Sequence, residues 1–380
     1  MIREFIPADE LFQKAHAVGQ YYGFTPLSVL TQKARGDEKK VFKTPEALAN
    51  LTLDPTAETV SNFLKQCHQI GAVANSRQPL FIWHTNLAPG RAQKKATVQF
   101  HSLGMDRALA DVVLIRALLS LVRDLFREEP VVRINSMGDK ETRARYAREL
   151  GNFFKRRAET LPEDCVNCAK RNVHEAAELV LASELGDELP SPTEHLSDAS
   201  RKRFEDLLEY LELTETPYEL AKNLISRGTV WNDTCFEVLV AGKRVAWGSR
   251  YGDFTRHYFP GPAMSATCAI LSLQTDGEVI DKARSPRHRF SFVHIGDEAK
   301  RLSLRLADDF RKAHVPLAQD IGVESLTEQM GLAERRGSPY LLIMGRKEAL
   351  ENTAILRNRQ TQEETILPIL GIADRLKSFA

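Results

Sequence analysis

Apolar residues recur at helical spacing through Ala8–Tyr22, and Tyr22-Gly23-Phe24 closes that stretch. The same period predicts helices over Ala57–Ile70, Arg107–Arg127 and Lys140–Arg157, with Thr44–Asn50 a shorter candidate opened by Thr44-Pro45. Glu159–Glu219 reads as mostly helical, broken at Pro190 and Pro192. Short apolar runs bounded by polar turns predict strands. Pro79–Thr85 and Ala96–Leu103 form an antiparallel pair across the basic turn Gly90–Lys95, and Val131–Ile134 is a further strand. Thr229–Val240 returns through Arg244–Gly248 across Ala241-Gly242-Lys243. Met264–Gln274 is apolar and rich in small residues, so it is a buried helix or strand.

The pattern changes after Asp281–Arg289, a polar, basic segment containing Pro286. Beyond it, strands (Phe290–Ile295, Val315–Gln319, Tyr340–Met344) alternate with helices (Asp297–Ala313, Ser325–Arg336), and Thr353–Leu367 is hairpin-like. Such alternation predicts a small α/β domain with a mainly parallel sheet. The expected organisation is an α+β domain over residues 1–280, a linker over 281–289 and an α/β domain over 290–380. A length of 380 residues agrees with more than one core.

Composition narrows the function classes. At 43% hydrophobic and 27% charged, the chain is globular. A membrane-spanning helix needs a run of about 18 apolar residues, which is absent, and MIREFIPADELFQ lacks the apolar core of a secretory signal. Five cysteines without framework spacing suit a reducing, cytoplasmic setting. A net charge of +1 argues against general polyanion coating, although a local basic face can still neutralise phosphates. Cys165-x-x-Cys168 has no second Cys/His pair at ligand spacing, so no metal site is expected.

Arg133–Leu150, RINSMGDKETRARYAREL, is similar to the I-N-S-x-G-x-x-x-x-R-x-x-Y-x-x-x-L signature of histidyl-tRNA synthetases. Leu161–Cys168 and the FEDLLEYLELTETPYEL segment resemble the family's next landmarks, in its order. Arg227–Tyr251 then keeps Arg227-Gly228, Phe236-Glu237 and Arg250-Tyr251 of the family's histidine-binding core. Ser325-Leu326, Ala333, Gly345–Glu348 and the ILRNRQTQEET hairpin resemble its C-terminal anticodon-binding domain. The resemblance implies a class II aminoacyl-tRNA synthetase-like antiparallel sheet with flanking helices, an anticodon-binding-like α/β domain, and a two-fold homodimer.

The family's chemistry is amino-acid activation, in which a carboxylate attacks the α-phosphate of ATP. Catalysis there rests on positioning and on cations beside the phosphates, a role that suits the fixed charge and planar fork of arginine. Ile82 and Ser272 occupy the two positions where the family has nucleotide-binding arginines, and Thr229, Val230, Trp231 and Asn232 replace its Leu-Asp-Tyr-Tyr run. Neither replacement supplies a cation. Arg227 and Glu237 are then vestiges of the catalytic set. Candidates to line the pocket are His84, Arg91, His101, Arg227, Trp231, Arg250 and Tyr251. For Arg227 and Arg250 the alternative is an internal ion pair; Trp231 reads more naturally as a plug than as a stacking platform. Candidate RNA contacts are Lys94, Lys95, Arg335, Arg336, Arg346, Lys347 and Arg357, the last five on one anticodon-reading face.

Three readings stay open. The chain is an inactive relative that binds tRNA or a protein partner, a divergent histidine–tRNA ligase, or a regulatory subunit of ATP phosphoribosyltransferase. The first and third need no cofactor, whereas the second needs ATP and Mg.

Overall fold

The computed structural model describes residues 5–36, 55–72, 74–87, 94–181, 183–225, 230–275 and 288–379. The Thr44–Asn50 helix candidate lies outside them, as do most of the Gly90–Lys95 turn and most of the 281–289 connection. Within the described residues, no helix is long and apolar enough to cross a membrane.

The first sheet contains β1 (Thr25–Pro26), β2 (Leu80–Leu87), β3 (Lys94–Leu103), β4 (Val131–Ser136), β5 (Glu219–Leu220), β6 (Asn232–Val240), β7 (Lys243–Arg250) and β8 (Ala266–Thr275), in the order β1-β2-β3-β8-β7-β6-β4-β5. Every pairing from β2 across to β4 is antiparallel, and only the short edge strands β1 and β5 pair in parallel. The residues 264–274, open between helix and strand by sequence, form β8 at the centre. Ala241 and Gly242 both take positive φ, 44° and 77°, which matches the twist of the β6–β7 turn.

Side-chain alternation gives the sheet two unlike faces. Ala96, Val98 and Phe100 of β3 join Val238, Ala246, Ala269 and Leu271 beneath helix Leu109–Phe126. The opposite face carries Ile82, Leu103, Cys268 and Ile270, and helix Pro55–Gln69 covers it with Val60, Phe63, Leu64 and Cys67. β7 admits only glycine at position 248, where a Cβ would lie 2.2 Å from Phe236 Cζ and 2.4 Å from the Cys268 carbonyl oxygen. Gly248→Ala is therefore expected to destabilise by about 1–3 kcal/mol, read as a lower urea midpoint at unchanged slope.

The second sheet contains β9 (Phe290–His294), β10 (Leu317–Gln319), β11 (Tyr340–Met344), β12 (Thr353–Asn358) and β13 (Glu364–Pro368), in the order β10-β9-β11-β12-β13. Its pairings are half parallel (β10–β9, β9–β11) and half antiparallel (β11–β12, β12–β13), not mainly parallel. The connection from Met344 to Thr353, carrying only the short helix Arg346–Leu350, is below the dozen or so residues that a parallel crossover needs.

The two sheets share packing. Leu304, Ala307 and Ile321 belong to the same buried cluster as helix Leu109–Phe126. From helix Asp297–Lys312, Asp308 accepts from Arg116 Nη2 at 3.2 Å and from Ser120 Oγ at 2.7 Å, and Arg311 Nη1 reaches Asp124 at 2.6 Å. Two glycines, one on each side, allow the backbones to meet. A Cβ on Gly23 would stand 2.6 Å from the Gln319 carbonyl oxygen, and one on Gly322 would stand 2.4 Å from Pro79 Cγ.

Candidate functional site

His84, His101, Trp231 and Tyr251 gather on the face of the first sheet beneath helix Pro55–Gln69, whereas Arg250 turns to the opposite face and Asp111. Ile82 of β2 lies opposite His101 of β3, and Ser272 of β8 lies opposite Thr97, so the positions of both missing arginines open on that face. The face holds a packed core. Ile82 is fully buried, as are Phe63, Tyr251 and Cys268.

His101 sits at the centre with both ring nitrogens engaged. Gln99 donates from its amide to Thr97 Oγ1 at 3.2 Å, which turns its carbonyl oxygen toward His101 Nε2 at 3.1 Å. His101 Nε2–H then donates to Gln99, and Nδ1 accepts from the Tyr251 hydroxyl at 2.9 Å. The Phe63 ring stacks on the imidazole with centroids 3.6 Å apart. Burial, with a smaller contribution from neighbouring His84, holds the His101 pKa well below its usual value. Burial also pushes the Tyr251 hydroxyl well above its usual range. Both groups are therefore neutral near pH 7. His84 is half-buried and stacks on Phe63 with centroids 5.3 Å apart.

Trp231 is buried edge-to-face against Trp247 and Tyr251, with centroids 5.0 and 6.4 Å apart, so its ring fills space as a plug does. Arg250 is also buried, and each of its three nitrogens is engaged. Nε donates to both Asp111 carboxylate oxygens at 3.0 Å, and Nη1 and Nη2 donate to the carbonyls of Asp106 and Arg107 at 3.0 and 2.8 Å. Asp111 itself is fully buried and also accepts from Thr234 and Thr267. Arg250 thus takes the internal ion pair, buried on the side of helix Leu109–Phe126. Glu237 pairs with Arg133 Nη1 at 2.7 Å. Arg91 and Arg227 lie outside the described residues.

The basic candidates of the second sheet do not share one face, contrary to expectation. Arg335 and Arg336 end helix Leu326–Arg336 just before β11, and Arg357 of β12 lies opposite Leu341, so these three gather near the start of β11. Arg346 and Lys347 follow its other end, about 17 Å away along five strand residues. Several are already paired: Arg336 with Asp320 at 2.6 Å, Arg357 with Glu364 at 2.6 Å and Arg346 with Glu298 at 3.7 Å. Arg335, Lys347 and Lys95 are exposed, and Lys94 opens β3.

Among the described residues no group of three or more His, Cys, Asp or Glu side chains is arranged to hold a metal ion. Cys165 and Cys168 are buried with Tyr146, Leu150 and Phe153. Gln99 and Phe63 decide the character of the His101 face, and Asp111 that of the opposite face around Arg250; sequence reasoning missed all three. Asp111 had a signal, being the sole acid in the apolar run LADVVLIRALL.

Residues 288–379 match the family described as "Anticodon binding domain". The chain is 26% identical over 305 residues to the histidine–tRNA ligase of Fervidobacterium nodosum, covering 75% of the chain and 72% of that relative. It is 23% identical over 397 residues to the histidine–tRNA ligase of Natranaerobius thermophilus, covering 98% and 89%. A solved structure of apo S. aureus histidyl-tRNA synthetase aligns over 92% of this chain and 94% of that one, at 16% identity and a TM-score of 0.45.

Proposed function

We propose, from the premise that this chain is a histidyl-tRNA synthetase-like protein, that it has lost aminoacylation and serves as a tRNA- or partner-binding accessory protein. The observation that carries this reading is the state of the His101 face. Adenylate formation needs fixed cations beside a phosphate in a dry site. Here the two arginine positions hold a buried Ile82 and the hydroxyl of Ser272, and Phe63 is stacked on His101, while Arg250 is turned to the opposite face and neutralised by Asp111. Each missing phosphate-binding arginine removes on the order of 3 kcal/mol or more of transition-state stabilisation, together a loss of several powers of ten in rate.

Histidine-dependent exchange of pyrophosphate into ATP is expected to stay at the no-histidine background. Clear turnover would instead establish a divergent ligase. For the binding part, the anticodon-binding domain and the exposed cations Lys95, Arg335 and Lys347 support an RNA partner. Gel shifts with tRNA over a salt series are expected to give a log–log slope of about −2 to −4, the signature of a few phosphate contacts. A salt-independent shift, or none, would point to a protein partner instead.

A further inference from the structure

A cleft of about 1010 Å³ opens between the β1–β2 edge of the first sheet and β10 with helix Leu326–Arg336 of the second. It borders the packed His101 face, since Ile82 and Leu80 line it as well. Gly23 and Gly322 set its width, because each lets one sheet's backbone approach the other more closely than a Cβ allows. Phe24, Pro26, Phe81 and Leu332 give it apolar walls.

Two side chains lining this cleft are almost completely buried and still carry an unmatched polar atom. Trp83 is 1% exposed, and its indole Nε1–H has no acceptor among the described residues. Gln319 is 2% exposed, and its Oε1 has no donor among the described residues. The Gln319 amide cannot usefully turn over, because Nε2 donates to the Tyr21 carbonyl at 2.7 Å. Buried polar groups are nearly always paired, so an unmatched donor and an unmatched acceptor in one cleft mark places for a ligand's complementary atoms. Charge narrows the choice. Asp320 is neutralised by Arg336, which leaves the exposed guanidinium of Arg335 at the rim, with Glu328 about two helical turns away on the same stripe.

We infer that this cleft binds a nucleotide. The base lies between the apolar walls, with a ring nitrogen accepting from Trp83 Nε1–H and an amino or imino hydrogen donated to Gln319 Oε1. The phosphate pairs with Arg335. The nucleotide is either free or part of a single-stranded RNA, since both present the same atoms.

Titration calorimetry with AMP, GMP, CMP and UMP on the full chain tests the assignment. Saturable binding of at least one is expected, weakened at least tenfold by Arg335→Gln and by Trp83→Phe, which deletes the N–H and keeps a ring. The exposed Arg335→Gln keeps the test readable if the core variant folds poorly. No binding at millimolar concentration, equal affinity in wild type and Arg335→Gln, or inorganic phosphate binding as tightly as the nucleotides would each overturn it. Tetranucleotide RNAs added as competitors assign the source: tighter binding than the mononucleotide places an RNA nucleotide here, and weaker binding a free one. Mononucleotide binding is read independently of tRNA binding and of aminoacylation, so its failure is distinct from failure of the proposed function.

Discussion

Arg250→Ala is expected to lower the unfolding free energy by about 3–5 kcal/mol, because it strands a fully buried carboxylate. Asp111 is 0% exposed and receives both of its charge-assisted bonds from Arg250 Nε, with only the Thr234 and Thr267 hydroxyls to replace them. The carbonyls of Asp106 and Arg107 lose their donors in the same step. A double change, Arg250→Met with Asp111→Leu, is expected to recover much of the loss, since removing both charges also removes their desolvation penalty. The more exposed Arg133–Glu237 pair gives the internal control, at about 1 kcal/mol or less for Arg133→Ala. Urea unfolding of the wild type and the three variants decides the matter. If Arg250→Ala were as stable as wild type, the guanidinium would be held for a ligand instead of for the fold.

That pairing shows where sequence reading stops. The conserved-looking Arg250-Tyr251 was legible as a motif, and so was the β6–β7 hairpin, because Gly242 and the apolar alternation act within a few residues. The partner of Arg250 lies 139 residues earlier in the chain, on a helix crossing the other face, and no local pattern couples the two. Phe63 was legible as a core residue of its helix, yet its stacking on His101 depends on how that helix lies across the sheet. The second sheet gives the same lesson at the level of topology. Its helices and strands follow from periodicity, but its antiparallel half follows from a connection too short for a crossover. The cleft was not legible, since it is made where Gly23 meets Gln319 and Gly322 meets Pro79, contacts between segments far apart in sequence. Ile82 and Ser272 were legible only against a family pattern. The sheet register adds that both face the same side as His101.

Mild acid is expected to destabilise the protein below pH 6.5, and four histidines whose pKa burial lowers carry the effect: His101, His174, His288 and His294. His294 on β9 is fully buried, and neither ring nitrogen has a hydrogen-bond partner among the described residues. Burial, reinforced by nearby Lys300, lowers its pKa to about 4. His101 is lowered in the same direction by burial beside His84. In the unfolded chain all four take up protons near 6.5, whereas in the folded state they do so only below that. The unfolded state therefore binds more protons as pH falls, so the stability present above 6.5 is lost on acidification, at up to about 1.4 kcal/mol per pH unit for each histidine. Asp233 works in the opposite direction, because burial raises its carboxyl pKa and the folded state accepts that proton first. Its offset begins only nearer the carboxylate range. Between pH 6.5 and 5, His288 and His294, both lowered to about 4, together remove about 3 kcal/mol, and His101 and His174 act in the same direction, against the 5–15 kcal/mol typical of a folded domain. Urea midpoints at pH 7.5, 6.5, 5.5 and 5 check this, with His294→Gln expected to reduce the slope by about a quarter to a third. An unchanged slope in that variant would move the acid sensitivity to other groups. Because His101 lies in the first sheet and His294 in the second, and the sheets share one buried cluster, both slopes should appear in a single cooperative transition.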